Sequence, residues 1–495
     1  MTRNVTIKRL PTGVPGLDAV LGGGLPEFSF NLIVGQPGTG KTTLAHQLMF
    51  SLATEARPAL YFTVLGESPL KMLRYQQQFA FFDAAMINTS VRFVSLAGEL
   101  GTGDYQKVLA RIMQEVLDHA PGLVFMDSVR SLIGSIGGSH SDEFAHRLGM
   151  QLSSWQITSF LIGDPPSEGG NTSTLTVADG IFVLSQSVLR NSIVRKLQIQ
   201  KMRGQATCPG IHSFRIAEAG IEVYPSAVIS ADDGSLQAAD PGPHLRRRLA
   251  MGVPGLDEML GGGLPAGYSL LVAGPSGSGK TILATAFLEE GVRLGQPGVM
   301  VAFEQTPSQS WTRTIDDLVR AGKIGLINTR LPDLSIDEIV QRLAEAIRRL
   351  KARRVVLDSL SGFELAVAPT FREEFKESLF RMVSQLSGMG VTVLMTAELE
   401  DRFTDLRFSS YGSAFLTDAI IVQRYVEIGS RLRRVMAVVK VRGSDHSDQL
   451  RQYEITDGGI IIGKRLAEFE GLLGGQPAHR KATGPEPPGT GPEPW

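Results

Sequence analysis

Two short segments carry the residue types needed to hold a polyphosphate. GQPGTGKTT (Gly35 to Thr43) and GPSGSGKTI (Gly274 to Ile282) both fit the pattern G-x-x-x-x-G-K-[ST]. Glycines at these spacings let successive backbone N–H groups turn toward an anion, and the start of a following helix adds a favourable dipole. The expected phosphate-lining residues are Gly35, Pro37, Gly38, Thr39, Gly40, Lys41, Thr42 and Thr43 in the first segment. In the second they are Gly274, Ser276, Gly277, Ser278, Gly279, Lys280, Thr281 and Ile282. Lys41 and Lys280 would reach the terminal phosphates, and the hydroxyls of Thr42 and Thr281 suit Mg²⁺.

Each segment is followed by an apolar run ending in aspartate, VFMDS with Asp127 and VVLDS with Asp358. A carboxylate at a strand end beside such a loop completes a Mg²⁺ site. Hydrolysis also needs a group to orient or deprotonate water. Glu67 in VLGESP and Glu304 in AFEQTP are the candidates. They stand two and three residues before their prolines, Pro69 and Pro307. A one-residue slip along a strand reverses a side chain's direction, so Glu304 is the stronger candidate.

The elements that must position these groups occur twice. TGVPGLDAVLGGGLP (Thr12 to Pro26) returns as MGVPGLDEMLGGGLP (Met251 to Pro265), and KMRG (Lys201 to Gly204) as KVRG (Lys440 to Gly443). Lys41 and Lys280, Asp179 and Asp418, and Arg203 and Arg442 are all 239 residues apart, which marks a whole-domain duplication rather than a short solenoid repeat. Within each copy, short continuous apolar runs such as FNLIVG and LLVAG alternate with helical patterns such as Tyr105 to Ala120 and Ile336 to Leu350. That alternation predicts an α/β fold: two tandem P-loop domains, each a mostly parallel sheet with helices on both faces. The predicted division is residues 1–226, a linker 227–246 rich in Ala, Asp, Gly and Pro, residues 247–473, and a disordered Pro/Gly-rich tail 474–495.

Composition narrows the function classes. With 49 basic against 50 acidic residues and 7% aromatics, the composition excludes a globally basic nucleic-acid coat, though not a local basic patch, and gives no support to a basic groove or stacking platform. HLRRR (His244 to Arg248) is short and reads as a solvated linker end. One cysteine, Cys208, excludes an internal disulfide framework and a Cys-based zinc site. The start, MTRNVTIKRLPTG, lacks the apolar stretch of a signal peptide, and no run reaches about 18 apolar residues. The expectation is a cytoplasmic protein without a membrane span.

The lead-in, the phosphate loop, the strand glutamate, the Asp-Ser strand, the Asp179 and Asp418 segments and the K-x-R-G strand occur in one order, twice. In this the chain resembles the KaiC-like family of tandem RecA-type ATPases over roughly residues 8–470, and TDAIIVQRYVEI (Thr417 to Ile428) is especially similar to that family's second domain. The resemblance implies ATP and Mg²⁺ as cofactors and a hexameric ring with nucleotide between subunits. It implies that Lys201 and Arg203, and Lys440 and Arg442, reach a neighbour's nucleotide, in the manner of an arginine finger. Protein signalling partners would follow from the same resemblance.

The departures are specific. The family's circadian-clock members carry two adjacent glutamates on the second strand; here Gly66-Glu67 and Glu304-Gln305 each keep one. They also autophosphorylate on an adjacent Ser-Thr pair, where this chain has Ala414 and Phe415, without hydroxyls. Ser409, Ser410, Tyr411, Ser413 and Thr417 are the nearby hydroxyls. The expected function is therefore a slow, oligomeric ATPase acting in signalling or timing. The alternatives are a Ser/Thr autokinase using Glu304 as base, a DNA-binding recombinase or helicase, and a nucleotide-gated scaffold with little turnover.

Overall fold

The computed structural model describes residues 7–63, 69–100, 105–127, 141–164, 177–189, 192–226, 247–303, 313–329, 334–367, 371–372, 375–399, 417–466, 469–470 and 478–479. The chain divides into two compact units, Met1–Ala227 and Val228–Trp495.

The main sheet of the first unit contains β1 (Phe30–Gly35), β2 (Ala59–Thr63), β3 (Val91–Ser95), β4 (Leu123–Asp127), β5 (Thr158–Gly163), β6 (Gly180–Leu189), β7 (Ser192–Met202), β8 (His212–Ala217) and β9 (Gly220–Tyr224). Its spatial order is β9-β8-β7-β6-β1-β5-β4-β2-β3. The ladders from β3 across to β6 are parallel, and β7, β8 and β9 extend the sheet antiparallel.

The second unit repeats this arrangement. Its strands are β10 (Ser269–Gly274), β11 (Gly298–Ala302), β12 (Ile324–Asn328), β13 (Arg354–Asp358), β14 (Thr392–Glu398), β15 (Ala419–Ile428), β16 (Arg431–Val441), β17 (Arg451–Thr456) and β18 (Gly459–Arg465). They lie in the order β12-β11-β13-β14-β10-β15-β16-β17-β18. Both units are α/β layers built on a mostly parallel sheet, as the alternation of apolar runs and helices predicted.

The central strands read as continuous apolar runs because both sheet faces are covered. Along β1, Ile33 joins the cluster that includes Leu44, Leu48 and Phe160, while Leu32 and Val34 join the one that includes Ile112, Leu148 and Leu152. The helix Lys41–Leu52 supplies the first face, and the helices Tyr105–His119 and Ser141–Ser154 supply the second. In β10, Leu270 and Val272 pack against Leu283 and Phe287, whereas Leu271 and Ala273 pack with Ile339, Leu343 and Met382. The helix Ile336–Leu350 begins where Ser335 accepts a hydrogen bond from the Glu338 amide at 3.1 Å, a side-chain cap for its first turn.

The lead-in motif closes on itself. Asp18 Oδ1 accepts hydrogen bonds from Thr12 N at 2.9 Å and Thr12 Oγ1 at 2.7 Å, and Asp257 Oδ1 accepts from Met251 N at 2.7 Å.

The duplication is less uniform than its ends imply. Asp127 and Asp358 are 231 residues apart, and Ile162 and Thr396 are 234 apart, although the offset before and after is 239. Length changes in the connections cancel, so the matching offsets at both ends conceal an altered middle. Of the tail, Ala478–His479 pairs antiparallel with Phe469–Glu470. The predicted linker 227–246 lies outside the described residues.

Candidate functional site

Both phosphate-loop segments join the carboxyl end of a central strand to a helix: β1 to Lys41–Leu52, and β10 to Lys280–Arg293. Pro37 and Ser276 lie in the turns, and Thr43 and Ile282 in the first helical turns. Gly40 and Gly279, at the helix starts, have φ of 99° and 97°, a region L side chains rarely adopt. A Cβ on Gly40 would stand 2.8 Å from Ile216 Cδ1, and one on Gly279 would stand 2.8 Å from Ile455 Cδ1. Among the described residues neither helix start has a side-chain cap, which suits the first-turn amides to an anion.

The side chains divide into two sets. Thr39 Oγ1 donates to Gln36 O at 2.8 Å and Ser278 Oγ donates to Gln423 Oε1 at 3.0 Å; both residues are buried. Their hydroxyls brace the loops, which leaves their backbone amides as the groups to offer a phosphate. Lys41 Nζ donates to Gly35 O at 2.6 Å and Gln36 O at 3.1 Å, and Lys280 Nζ to Gly274 O at 2.9 Å and Pro275 O at 2.8 Å. Each lysine is folded back over its own loop. Lys41 also pairs with Asp164 Oδ1 at 3.2 Å. Asp164 follows β5, whose Gly163 lies beside Val34 of the parallel β1, so sheet register places this carboxylate at the loop.

Thr42 Oγ1 donates to Asp127 Oδ2 at 2.8 Å, and Thr281 Oγ1 to Asp358 Oδ2 at 2.8 Å. Each copy therefore brings a hydroxyl and a carboxylate together at the sheet's carboxyl edge, beside the lysine. These are hard oxygen donors that suit Mg²⁺, which takes one or two protein ligands and completes its shell with water and phosphate oxygens. The residues fit Mg²⁺ and a triphosphate.

Sequence reasoning missed the groups that steady these aspartates. Tyr61 Oη donates to Asp127 Oδ2 at 3.0 Å, and Thr396 Oγ1 donates to Asp358 Oδ1. Burial first, then the neighbouring Asp127 charge, raises the Tyr61 hydroxyl well above the ordinary phenol range, so it stays protonated as a donor. Both lie inside strands read only as core. A comparison of the two copies position by position was the available signal, because a buried hydroxyl must find a partner.

The K-x-R strand is not brought to its own loop. Met202 lies opposite Gly180, and Gly180 beside Asn31, at the amino end of β1. Gly35 is four residues further along β1, about 13 Å away at ~3.3 Å per residue. Here Arg203 Nη1 meets Asp179 Oδ1 at 3.3 Å and Arg442 Nη1 meets Asp418 Oδ1 at 3.6 Å. Asp179 and Asp418 also accept the amides of Phe30 and Ser269, each at 3.0 Å. Lys440 Nζ donates to Thr417 O at 2.7 Å. Burial, then the adjacent Arg203 and Arg442, lowers the Lys201 and Lys440 ammonium groups from their usual value, with Asp179 and Asp418 opposing.

Glu67, Glu304, Ala414, Phe415, Ser409, Ser410, Tyr411 and Ser413 lie outside the described residues. Thr417 is described: it is buried, and among the described residues its Oγ1 has no hydrogen-bond partner.

A family model described as the KaiC ATPase matches residues 10–228 and again 249–467. The chain belongs to the KaiC ATPase family. Its curated relatives include the circadian clock oscillator protein KaiC of Picosynechococcus sp., 26% identical across 95% of this chain and 92% of that protein. KaiC of Prochlorococcus marinus is also 26% identical, over 96% of this chain and 97% of its own length. KaiC3 of a Synechocystis sp. strain is 26% identical over 96% and 95%. As a member of that family the chain is a P-loop ATPase. Among the described residues no helix is long and apolar enough to cross a membrane.

Proposed function

We propose that this chain binds Mg²⁺ and ATP at both loops and hydrolyses ATP slowly as a homo-oligomeric ring that serves signalling or timing. The observation that carries the reading is the duplicated set of loop lysine, threonine hydroxyl and strand-end aspartate, in the same hydrogen-bonded arrangement in each unit. Bound Mg²⁺ would bridge and neutralise phosphate oxygens. Lys41 and Lys280 would exchange loop carbonyls for terminal phosphate oxygens. Thr42 with Asp127, and Thr281 with Asp358, would hold the metal. At the second site Glu304 would take a proton from water as its oxygen attacks the γ-phosphorus and the bond to the ADP oxygen breaks.

The placement of the K-x-R strands supports a ring. Lys201 and Arg203 sit at the sheet edge opposite their own loop, as do Lys440 and Arg442. A cation so placed serves phosphate chemistry only across a subunit boundary, which supports nucleotide between protomers.

The test is incubation with Mg²⁺ and γ-labelled ATP, counting free phosphate and protein-bound label separately. Free phosphate without labelled protein is expected. Lys41→Ala and Lys280→Ala should each remove one site's share, and chromatography with and without nucleotide should show ATP-dependent assembly. Protein-bound label lost only with Lys280→Ala would make the second unit an autokinase. Assembly without phosphate release would make the chain a nucleotide-gated scaffold.

A further inference from the structure

The two strand-end aspartates are steadied from different strands, and the exchange is reciprocal. Tyr61 on β2 lies opposite Phe125, and Met300 on β11 lies opposite Val356; Phe125 and Val356 each precede the aspartate by two residues. Tyr61 and Met300 thus occupy one structural position. Ile33 of β1 lies beside Ile162 of β5, and Val272 of β10 beside Thr396 of β14, with Ile33 and Val272 equivalent in the duplication. Ile162 and Thr396 thus occupy a second position. The first unit places its hydroxyl at the first position and an apolar chain at the second. The second unit does the reverse.

Both hydroxyl-bearing residues are fully buried, and each donates to the carboxylate that meets the loop threonine. The Tyr61 ring is itself fixed by His46 at 4.6 Å and Phe93 at 5.3 Å between ring centroids. We propose that Tyr61 and Thr396 are interchangeable positioning residues, each orienting its unit's aspartate toward the metal from whichever neighbouring strand carries the hydroxyl. A group hydrogen-bonded to a metal ligand fixes that ligand's orientation, and its loss weakens metal binding about tenfold or more. The inference rests on the reading that Asp127 and Asp358 hold Mg²⁺.

The test uses the full chain carrying Lys280→Ala, which confines nucleotide to the first site. A fluorescent, non-hydrolysable ATP analogue is held at fixed concentration while Mg²⁺ is titrated, and the Mg²⁺ half-point for analogue retention is read. Tyr61→Phe should raise it about tenfold. Adding Ile162→Thr, which builds the second unit's donor into the first, should return it to within about threefold of the parent. An unchanged half-point in Tyr61→Phe overturns the proposal. So does a raised half-point that a folded Tyr61→Phe/Ile162→Thr chain fails to lower, since a merely structural tyrosine would not be rescued from another strand. If that double variant melts below the assay temperature, Thr396→Val with and without Met300→Tyr, in a Lys41→Ala chain, decides by the same readout. Retention in the parent that ignores Mg²⁺ would sink the metal reading itself, and is distinguished by needing no substitution at Tyr61.

Discussion

Glu304 and Glu67 stand at different distances from the strands that precede them. Thr63 lies opposite Asp127 and Ala302 opposite Asp358, so these two residues are equivalent ends of β2 and β11. Counting on by two reaches Glu304 in the second unit but Leu65 in the first. Glu67 follows two residues later in the sequence, so it does not match the position of Glu304. Glu304→Gln should therefore lower phosphate release from the second site by about 10²- to 10⁴-fold, the usual contribution of a general base. Glu67→Gln should change release from the first site by no more than a few-fold. Single-site chains carrying Lys41→Ala or Lys280→Ala separate the two measurements. A large loss with Glu67→Gln would show that the connection after β2 returns this carboxylate to the water. Besides Asp127, the described acid that reaches the first loop is Asp164, paired with Lys41 at 3.2 Å.

At the scale of elements, the helix Lys41–Leu52 carries a buried histidine into the first unit's core. His46 packs on Tyr61 at 4.6 Å and on Phe93 at 6.1 Å between ring centroids, fully buried. Burial lowers it to about 3, with the Gln76 side chain opposing. The imidazole is neutral when folded and takes up a proton near pH 6.5 when unfolded. The unfolded chain thus binds more protons between these values, and stability is lost as pH falls from about 6.5 toward 3. At pH 5 the cost is about 2 kcal/mol. Denaturant unfolding of the first unit at pH 7 and pH 5 should show that loss, and His46→Leu should reduce the difference by about that amount. An equal difference in both chains would mean that the buried imidazole is protonated without penalty. The second unit has Thr285 at this position, bonded to Ile282 O at 2.9 Å, so no matching loss is expected there. This contrast marks what the sequence makes legible. Loops, strand-end aspartates and the helix Ile336–Leu350 could be read because glycine spacing, terminal acids and apolar periodicity are local signals. Tyr61, Thr396 and Asp164 carry no such local signal, because their roles depend on which parallel strands are neighbours, and β1 lies between β5 and β6, which are distant from it in sequence.

Across the whole molecule, the duplication has diverged by relocating polar groups as well as by losing them. In the second unit Arg354, at the start of β13, is fully buried. Its Nη1 donates to Ala250 O and Phe287 O, both at 2.7 Å, and its Nε and Nη2 donate to Gln296 Oε1 at 3.2 and 3.0 Å. Its guanidinium lies 4.5 Å from the Phe287 ring centre. Burial draws it down to about 10, against the Glu290 and Asp257 carboxylates, so it remains charged at neutral pH. The first unit has Leu123 at the start of β4 and places its arginine at Arg57, which donates to Leu52 O through Nε at 3.0 Å and Nη2 at 2.7 Å. Leu123 is as fully buried as Arg354. Each unit has its own apolar clusters, so each is expected to unfold in its own transition. Arg354→Leu, which writes the first unit's residue into the second, leaves the Gln296 amide oxygen and the Ala250 carbonyl without their buried donor. The expected cost is about 2–4 kcal/mol, or roughly 10 °C for a unit of this size. Calorimetry without nucleotide should show one transition moved down and the other unmoved. Two transitions moving together would mean that the units unfold as one, and no movement would mean that the leucine packs as well here as at Leu123.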